Sequence, residues 1–259
     1  MFGLINRYSS SIEKGVMYVA TDDKIHIDNA VRSAKSLKRF NDIHVTLYTN
    51  NMLNSMNYNV FDNVKLVEFD RENFWYNRMK FMIDSPYHKT LYLDADSYIL
   101  DSIDDAFEVL DNFDYAICHG GKKIVRHYKA IRDNKIDISI PYAFSPVNGG
   151  VQLFKKNYRT RKFLNKLIKK YLSRNYYDDQ ISIRELLWDD KCKIKFCILP
   201  MEYHIGAKEF IELWDQGICD SLPKIFFPLH WNKNEPLNEL LQYVDECSER
   251  IRQRKNLYL

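Results

Sequence analysis

The sequence predicts an α/β fold: a single Rossmann-like mixed sheet flanked by helices. Three observations carry this. Short apolar runs alternate with stretches of helical periodicity along the chain. The connections between them are short, as crossovers of a largely parallel sheet covered on both faces require. No internal repeat or low-complexity linker interrupts the alternation.

In order, Val16–Thr21 (VMYVAT) reads as the first strand. Ile27, Ala30, Val31, Ala34 and Leu37 then recur at helical spacing. Ile43–Thr49 alternates as a second strand and stops at Asn50-Asn51. Val64–Phe69 is a third. Phe74–Ile83 is helical and ends at Ser85-Pro86. TLYLDADSYIL, residues 90–100, is a strand carrying Asp94-Ala95-Asp96. A short helix over Ile103–Leu110 and an apolar run over Tyr115–Cys118 follow. Residues 120–146, with GKKIVRHYK and Pro141, read as a loop or lid that is a candidate acceptor-side segment by position alone. Gly149–Phe154 is strand-like, Asn157–Leu172 a basic amphipathic helix, and Asp178–Trp188 another helix. Ile194–Leu199 and Ile225–Trp231 are late strands. Glu235–Arg254 is a final helix, with Pro236 suited to its first turn.

Length and composition set the bounds. At about 150 residues per domain, 259 residues allow one or two domains. The unbroken pattern favours one domain over 1–259, with a core at 14–233 and a C-terminal helix at 234–259. Hydrophobic residues are 46% and charged residues 28%, the balance of a globular chain. The 38 basic and 35 acidic residues nearly cancel, which gives no support to a nucleic-acid partner. Apolar runs fall far short of the roughly 18 residues of a membrane span. The five cysteines are odd in number and lack metal-ligand spacing, so free thiols in a reducing compartment, and a cytoplasmic location, are expected. The start of the chain lacks the apolar core of a secretory signal.

The chemistry is expected where strands end, because ligands of open α/β sheets sit outside the carboxyl ends of the strands. Asp94 and Asp96 lie one residue apart at such an end. Two carboxylates so placed repel unless a cation lies between them. Oxygen ligands of this kind suit Mg²⁺ or Mn²⁺, ions that also bind phosphate. The competing reading is an acidic turn that caps the next segment.

LYLDADSYIL, preceded by NRMKFMIDSPYHKT, resembles the nucleotide-sugar glycosyltransferases of the GT-A fold, and most of all glycosyltransferase family 8, the glycogenin-like group. YVATDD is similar to that group's nucleotide-binding start. VNGGVQLF is similar to its Asn-x-Gly segment, YDDQ to its Asp-Gln pair, and FFPLHWNK to its late strand with a metal-binding His and a phosphate-binding Lys. These span roughly residues 16–233 in the family's order.

The resemblance implies roles at the matched positions. Asp94 and Asp96 would hold Mn²⁺ or Mg²⁺, Asp96 the more directly, with His230 as third ligand and Lys233 on phosphate. The chain departs from the family in the short spacing from His230 to Lys233 and in lacking the Pro-Trp after the lysine. Thr21, Asp22 and Asp23 would hold base and ribose, with Ala95 among the nucleotide contacts; the alternative is helix capping by Thr21 or Asp22. Arg78 or Lys80 would reach the donor phosphates or fix Asp94. Asn148, Gly149 and Gly150 would line the sugar pocket, or simply make a tight turn. Asp179 and Gln180 would meet donor-sugar hydroxyls or the reacting face, although Asp178 and Asp179 also suit a helix start. The implied activity is transfer from a nucleoside diphosphate sugar, a UDP-sugar in this family, to a hydroxyl of a glycan, glycoconjugate or protein acceptor. Retention of anomeric configuration is the family's expectation; an inverting enzyme would draw a base from Asp178, Asp179 or Glu202.

Two other classes compete. A phosphohydrolase of the haloacid dehalogenase type also places DxD after an apolar strand, with the first Asp as nucleophile. It wants Thr or Val where this chain has Tyr98, and it places the motif on the first core strand. A binding module that keeps the pocket without turnover is the third class. The run KFLNKLIKKYLSR reads as the solvated face of a helix whose Leu, Ile and Phe suit core packing, with contact to anionic lipid or to the acceptor as its functional alternatives.

Overall fold

A computed structural model describes residues 12–21, 23–50, 59–70, 73–120, 140–141, 143–174, 179–189, 193–217, 221–228 and 237–256. The strands are β1 (Ile12–Val19), β2 (His44–Thr49), β3 (Asn63–Leu66), β4 (Tyr87–Leu93), β5 (Tyr98–Ile99), β6 (Tyr115–His119), β7 (Val147–Lys155), β8 (Phe196–Leu199), β9 (Ile205–Gly206) and β10 (Ile225–Phe227). The helices are α1 (Lys24–Lys38), α2 (Phe74–Ile83), α3 (Asp104–Asn112), α4 (Tyr158–Arg174), α5 (Gln180–Asp189), α6 (Ala207–Phe210) and α7 (Leu237–Asn256).

Seven strands form the main sheet in the order β3-β2-β1-β4-β7-β6-β8. β3, β2, β1 and β4 run parallel, whereas β7 is antiparallel to both neighbours, which makes the sheet mixed. Period-2 alternation divides each strand between two cores. Val16, Tyr18, Leu91 and Leu93 pack under α1 and α3 through Ala30, Ala34, Leu37 and Phe107. Met17, Val19 and Tyr92 face the other side, covered by Met79 of α2, Phe163 and Leu167 of α4, and Ile183 of α5.

Several boundaries differ from the sequence reading. β1 begins at Ile12, upstream of the expected Val16, because Ile12 and Lys14 already pair with Tyr87 and Lys89. The single run expected over 90–100 is broken at the acidic turn. Its second half, β5, joins β10 and β9 in a separate three-stranded sheet, so the described residues form two sheets rather than the one expected. This small sheet packs with α7 through Leu100, Phe210, Trp214, Phe226, Leu241 and Val244. The helix expected from Asp178 starts at Gln180. The cap of α1 is Asp23, whose carboxylate accepts from the Ile25 N–H at 3.0 Å, so the expected capping by Thr21 is not seen, and Asp22 lies outside the described residues. Of the stretch 120–146, residues 121–139 and 142 lie outside the described residues, as do Cys192 and Cys219. Cys118, Cys197 and Cys247 are free thiols. No helix among the described residues is long and apolar enough to cross a membrane.

One glycine is fixed by crowding. A Cβ on Gly15 would stand 2.2 Å from the Tyr87 ring. That ring cannot swing away, because its hydroxyl is held by Thr46 Oγ1 at 2.6 Å and His44 Nδ1 at 2.8 Å. Gly15→Ala is expected to destabilise by about 1–3 kcal/mol, the range for overpacked cores, as read by denaturant unfolding.

Candidate active site

The carboxyl ends of β1 and β4 and the start of β7 meet at one edge of the main sheet. Asp94 is the first residue past β4. Its N–H donates to the Gly150 carbonyl at 2.8 Å, and its own carbonyl accepts from the Ser97 N–H at 3.1 Å. These two bonds hold Asp94–Ser97 as a tight turn, which keeps Asp94 and Asp96 half-exposed at the rim. Beneath it runs a buried hydroxyl chain: Tyr18 to Ser33 at 2.9 Å and Ser33 to Ser97 at 2.7 Å. Ser36 adds a bond from the Ile99 N–H at 2.9 Å. Helix α1 is thereby fastened to the acidic turn.

Arg78 organises the site from below. Its side chain is 1% exposed. Nη1 donates to Asp94 Oδ1 at 3.0 Å and to the Gly149 carbonyl at 3.2 Å, and Nη2 donates to Asp179 Oδ2. The guanidinium also lies 4.5 Å from the Trp75 ring and 5.2 Å from the Tyr92 ring, within cation–π range. Burial opposes its charge, but Asp179, Tyr92 and Asp94 prevail and raise its pKa well above the ordinary value. The Tyr92 hydroxyl donates to Asp94 Oδ1 at 2.5 Å. Burial first, and then the Asp94 charge, hold that phenol protonated far beyond its usual range.

Both of these side-chain bonds fall on Oδ1 of Asp94. Oδ2 points toward Gly150, where an added Cβ would stand 3.1 Å from it. The same Cβ would stand 3.1 Å from Asn148 Oδ1 and 3.4 Å from Phe227 Cε1. A small backbone-lined recess thus lies beside Asp94, roofed by Phe227, on which His204 stacks at 4.2 Å. Asn148 is 5% exposed and turns its Oδ1 to the Gly150 N–H at 2.8 Å. A Cβ on Gly149 would stand 2.7 Å from Arg78 Nη2, so this position too needs glycine.

The structure therefore brings together Arg78, Asp94, Asn148, Gly149, Gly150 and Asp179 from the residues expected of the site, with Ala95 and Asp96 on the turn. Of the two cations left open by the sequence, Arg78 engages Asp94; Lys80 is exposed and lies over Phe81, away from the carboxylates. Asp179 is fully buried against Arg78, while Gln180 beside it is half-exposed. Thr21 is half-buried past β1, and Asp23 is exposed at the α1 cap. Asp22, Asp178, His230 and Lys233 lie outside the described residues. Among the described residues no three His, Cys, Asp or Glu side chains cluster as a metal site. Tyr92, Trp75 and the serine chain are additions to the expected set. For Tyr92 a signal existed: it sits two residues before Asp94 and so shares its face of the strand.

The two sheets, the two helical layers and the acidic turn after β4 define an α/β protein of GT-A architecture. No family model matches the sequence, and no curated protein matches it. Among solved structures it is similar to the galactosyltransferase LgtC in complex with donor and acceptor sugar analogs, at 14% identity and a TM-score of 0.61, over 90% of this chain and 95% of that one. It is similar to the glycosyltransferase GlyE of Streptococcus pneumoniae TIGR4 at 20% identity and 0.58, over 93% of this chain and 63% of that one. Mouse xyloside xylosyltransferase 1, in its apo form, matches at 13% identity and 0.53, over 87% of this chain and all of that one.

Proposed function

We propose that this protein is a metal-dependent glycosyltransferase that moves a sugar from a nucleoside diphosphate sugar, a UDP-sugar, to an acceptor hydroxyl with retention of configuration. The observation that carries the reading is the Asp94–Ser97 turn, with one oxygen of Asp94 fastened and the other turned to a recess between Gly150 and the rim. The fold supports it: the neighbours named above are sugar transferases, and one further LgtC structure is an active-site glutamine-to-glutamate variant, which makes Gln180 this chain's candidate at the reacting face.

The donor set fits a hard divalent ion. Asp94 Oδ2 and the Asp96 carboxylate are oxygen ligands at a half-exposed turn, the chemistry that Mn²⁺ or Mg²⁺ prefers. His230, three residues beyond the β10 end that faces Gly150, is the third ligand in this reading, and Lys233 meets phosphate. Such an ion supplies charge stabilisation for a departing diphosphate. The chain's own residues do the rest. Arg78 and Tyr92 hold Asp94 in one orientation, so little reorganisation is needed when the donor arrives. Thr21, Asp22 and Asp23 accept from base and ribose. Asn148 and the Gly149-Gly150 backbone line the sugar, and Gln180 meets the reacting face. Asp179 acts through Arg78, which it keeps charged and in place. In the transfer, the acceptor oxygen bonds to the anomeric carbon as the bond from that carbon to the phosphate oxygen breaks; the diphosphate leaves with the electron pair and the hydroxyl proton is released. The GT-A fold removes the basis for the phosphohydrolase alternative.

Calorimetric titration of UDP into the purified protein, with and without Mn²⁺, tests the donor site: binding is expected only with the metal. A UDP-sugar panel scored for hydrolysis and transfer then separates enzyme from binding module. Absence of UDP binding under every metal condition would sink the uridine assignment, and binding without turnover on any sugar would leave the binding module.

A further inference from the structure

Helix α4 carries seven basic residues and no acidic one between Tyr158 and Arg174. Its apolar side is committed to the core through Phe163, Leu164, Leu167 and Tyr171. Lys170 pairs with Glu185 at 2.7 Å and Arg159 with Asp114 at 2.6 Å. The other side is a single outward stripe. Tyr158, Arg161, Lys162, Lys166, Lys169 and Leu172 recur on it at three- and four-residue spacing. Arg161, Lys162, Lys166 and Lys169 make no ion pair with any described residue. With Tyr158 and Asn165 they line a shallow groove of about 360 Å³. Tyr158 is 78% exposed at one end and Leu172 50% exposed at the other.

We infer that this face is a docking surface for an anionic lipid bilayer. The reading goes beyond the proposed transfer reaction and does not depend on it. The chain as a whole is only +3, so the attraction is local to this helix. A straight helical face, spanning roughly 21 Å at 1.5 Å per residue, meets a plane of phosphate headgroups with all four cations at once. The two protruding apolar side chains then enter the headgroup layer, where aromatic and aliphatic groups are at home. A single-stranded nucleic acid would instead need a series of aromatic platforms, and the stripe has one aromatic residue. The placement also makes chemical sense. β7 runs from the site edge at Asn148 out to Lys155, and α4 returns from Tyr158 toward Asp179, so the stripe leads back to the edge that holds the acidic turn.

The test is cosedimentation of the full chain with vesicles of phosphatidylcholine alone and of equimolar phosphatidylcholine and phosphatidylglycerol. The protein is expected to pellet with the anionic vesicles only, and less as salt is raised. Lys162→Gln, Lys166→Gln and Lys169→Gln combined should weaken partitioning about a hundredfold, at about fivefold for each charge removed near the surface. Lys169 is exposed, Lys162 and Lys166 are half-exposed, and none of the three pairs with a described carboxylate, so the circular dichroism spectrum and melting temperature should match the parent. Arg254→Gln on α7 is the control and should partition like the parent. Equal partitioning of the triple variant, equal binding to neutral vesicles, or retention on duplex DNA without binding to anionic vesicles would each overturn the lipid assignment.

Discussion

UDP titrated into the Asp96→Ala protein in the presence of Mn²⁺ is expected to give at least about a hundredfold weaker binding than the parent, the upper end of what even outer-shell changes cost at metal sites. The two aspartates of the turn are not equivalent. Asp94 Oδ1 is engaged by Arg78 and Tyr92, which leaves Oδ2 toward the recess. One oxygen from one carboxylate is too few ligands for Mn²⁺, and Asp94 cannot rotate to offer both without breaking two buried-side bonds. Asp96, half-exposed on the same turn, supplies what Asp94 cannot. Its charge is also felt by the half-buried Arg32 of α1, whose pKa is lowered by burial and supported in part by Asp28 and Asp96. Asp28→Ala removes a second carboxylate near that arginine and serves as the control: its UDP affinity should stay within about twofold of the parent, since loss of a surface charge of this kind costs little. Without Mn²⁺ the parent and Asp96→Ala should be indistinguishable. If Asp96→Ala binds UDP as the parent does with Mn²⁺ present, the turn is only a structural cap and the metal reading fails. The melting temperature should move little, because the backbone of the turn is held by the Asp94 N–H on the Gly150 carbonyl and the Ser97 N–H on the Asp94 carbonyl.

Much of this arrangement was legible in the residues, for reasons that can be named. Strong apolar runs such as Tyr115–Cys118 and Val16–Val19 become strands because they are buried, and their period needs no partner to be seen. The edge that holds the chemistry follows from where those runs end. Strand direction is different: Val151–Phe154 packs equally well either way up, and nothing in its period marks β7 as antiparallel. β5 and β9 are two residues each, too short to show alternation, so the second sheet is invisible until β10 is seen between them. The sequence reading puts the cap of α1 at Thr21 or Asp22, and the cap is Asp23; all three are competent cap formers, and helix boundaries carry an uncertainty of a residue or two. Arg78 is the instructive case. The family resemblance offers Arg78 or Lys80 for the Asp94 carboxylate or the donor phosphates, but in FWYNRMKFMI itself either one reads equally well as a solvated helix charge. Arg78 is buried because carboxylates 16 and 101 residues away converge on it. No local pattern encodes that, whereas Lys80, two residues on, falls on the opposite side of the helix and keeps the solvated role.

Arg78→Met is expected to lower stability by about 3–5 kcal/mol, the cost of leaving a buried charge without its partner. At about 2–4 °C per kcal/mol for a chain of this size class, the melting temperature should fall by roughly 6–20 °C. The reason lies in Asp179, whose side chain is 1% exposed and whose Oδ2 takes the Nη2 bond. Without the guanidinium, that carboxylate is left ionised in the core or must bind a proton there, and either is costly. The second variant separates stability from chemistry. Arg78→Met combined with Asp179→Leu replaces the buried pair by apolar groups of similar size, an exchange that is often neutral or favourable. It should recover stability to within about 1–2 kcal/mol of the parent by denaturant unfolding. Donor binding should not recover with it, because Asp94 then keeps only the Tyr92 bond on Oδ1 and loses the cation that orients it. A double variant that regains both stability and Mn²⁺-dependent UDP affinity would show that Arg78 only fills space. A single variant as stable as the parent would show that Asp179 is not ionised in the native protein. The expected pattern, stability restored and affinity still lost, identifies the pair as a device that spends fold stability to keep one carboxylate oxygen aimed at the recess.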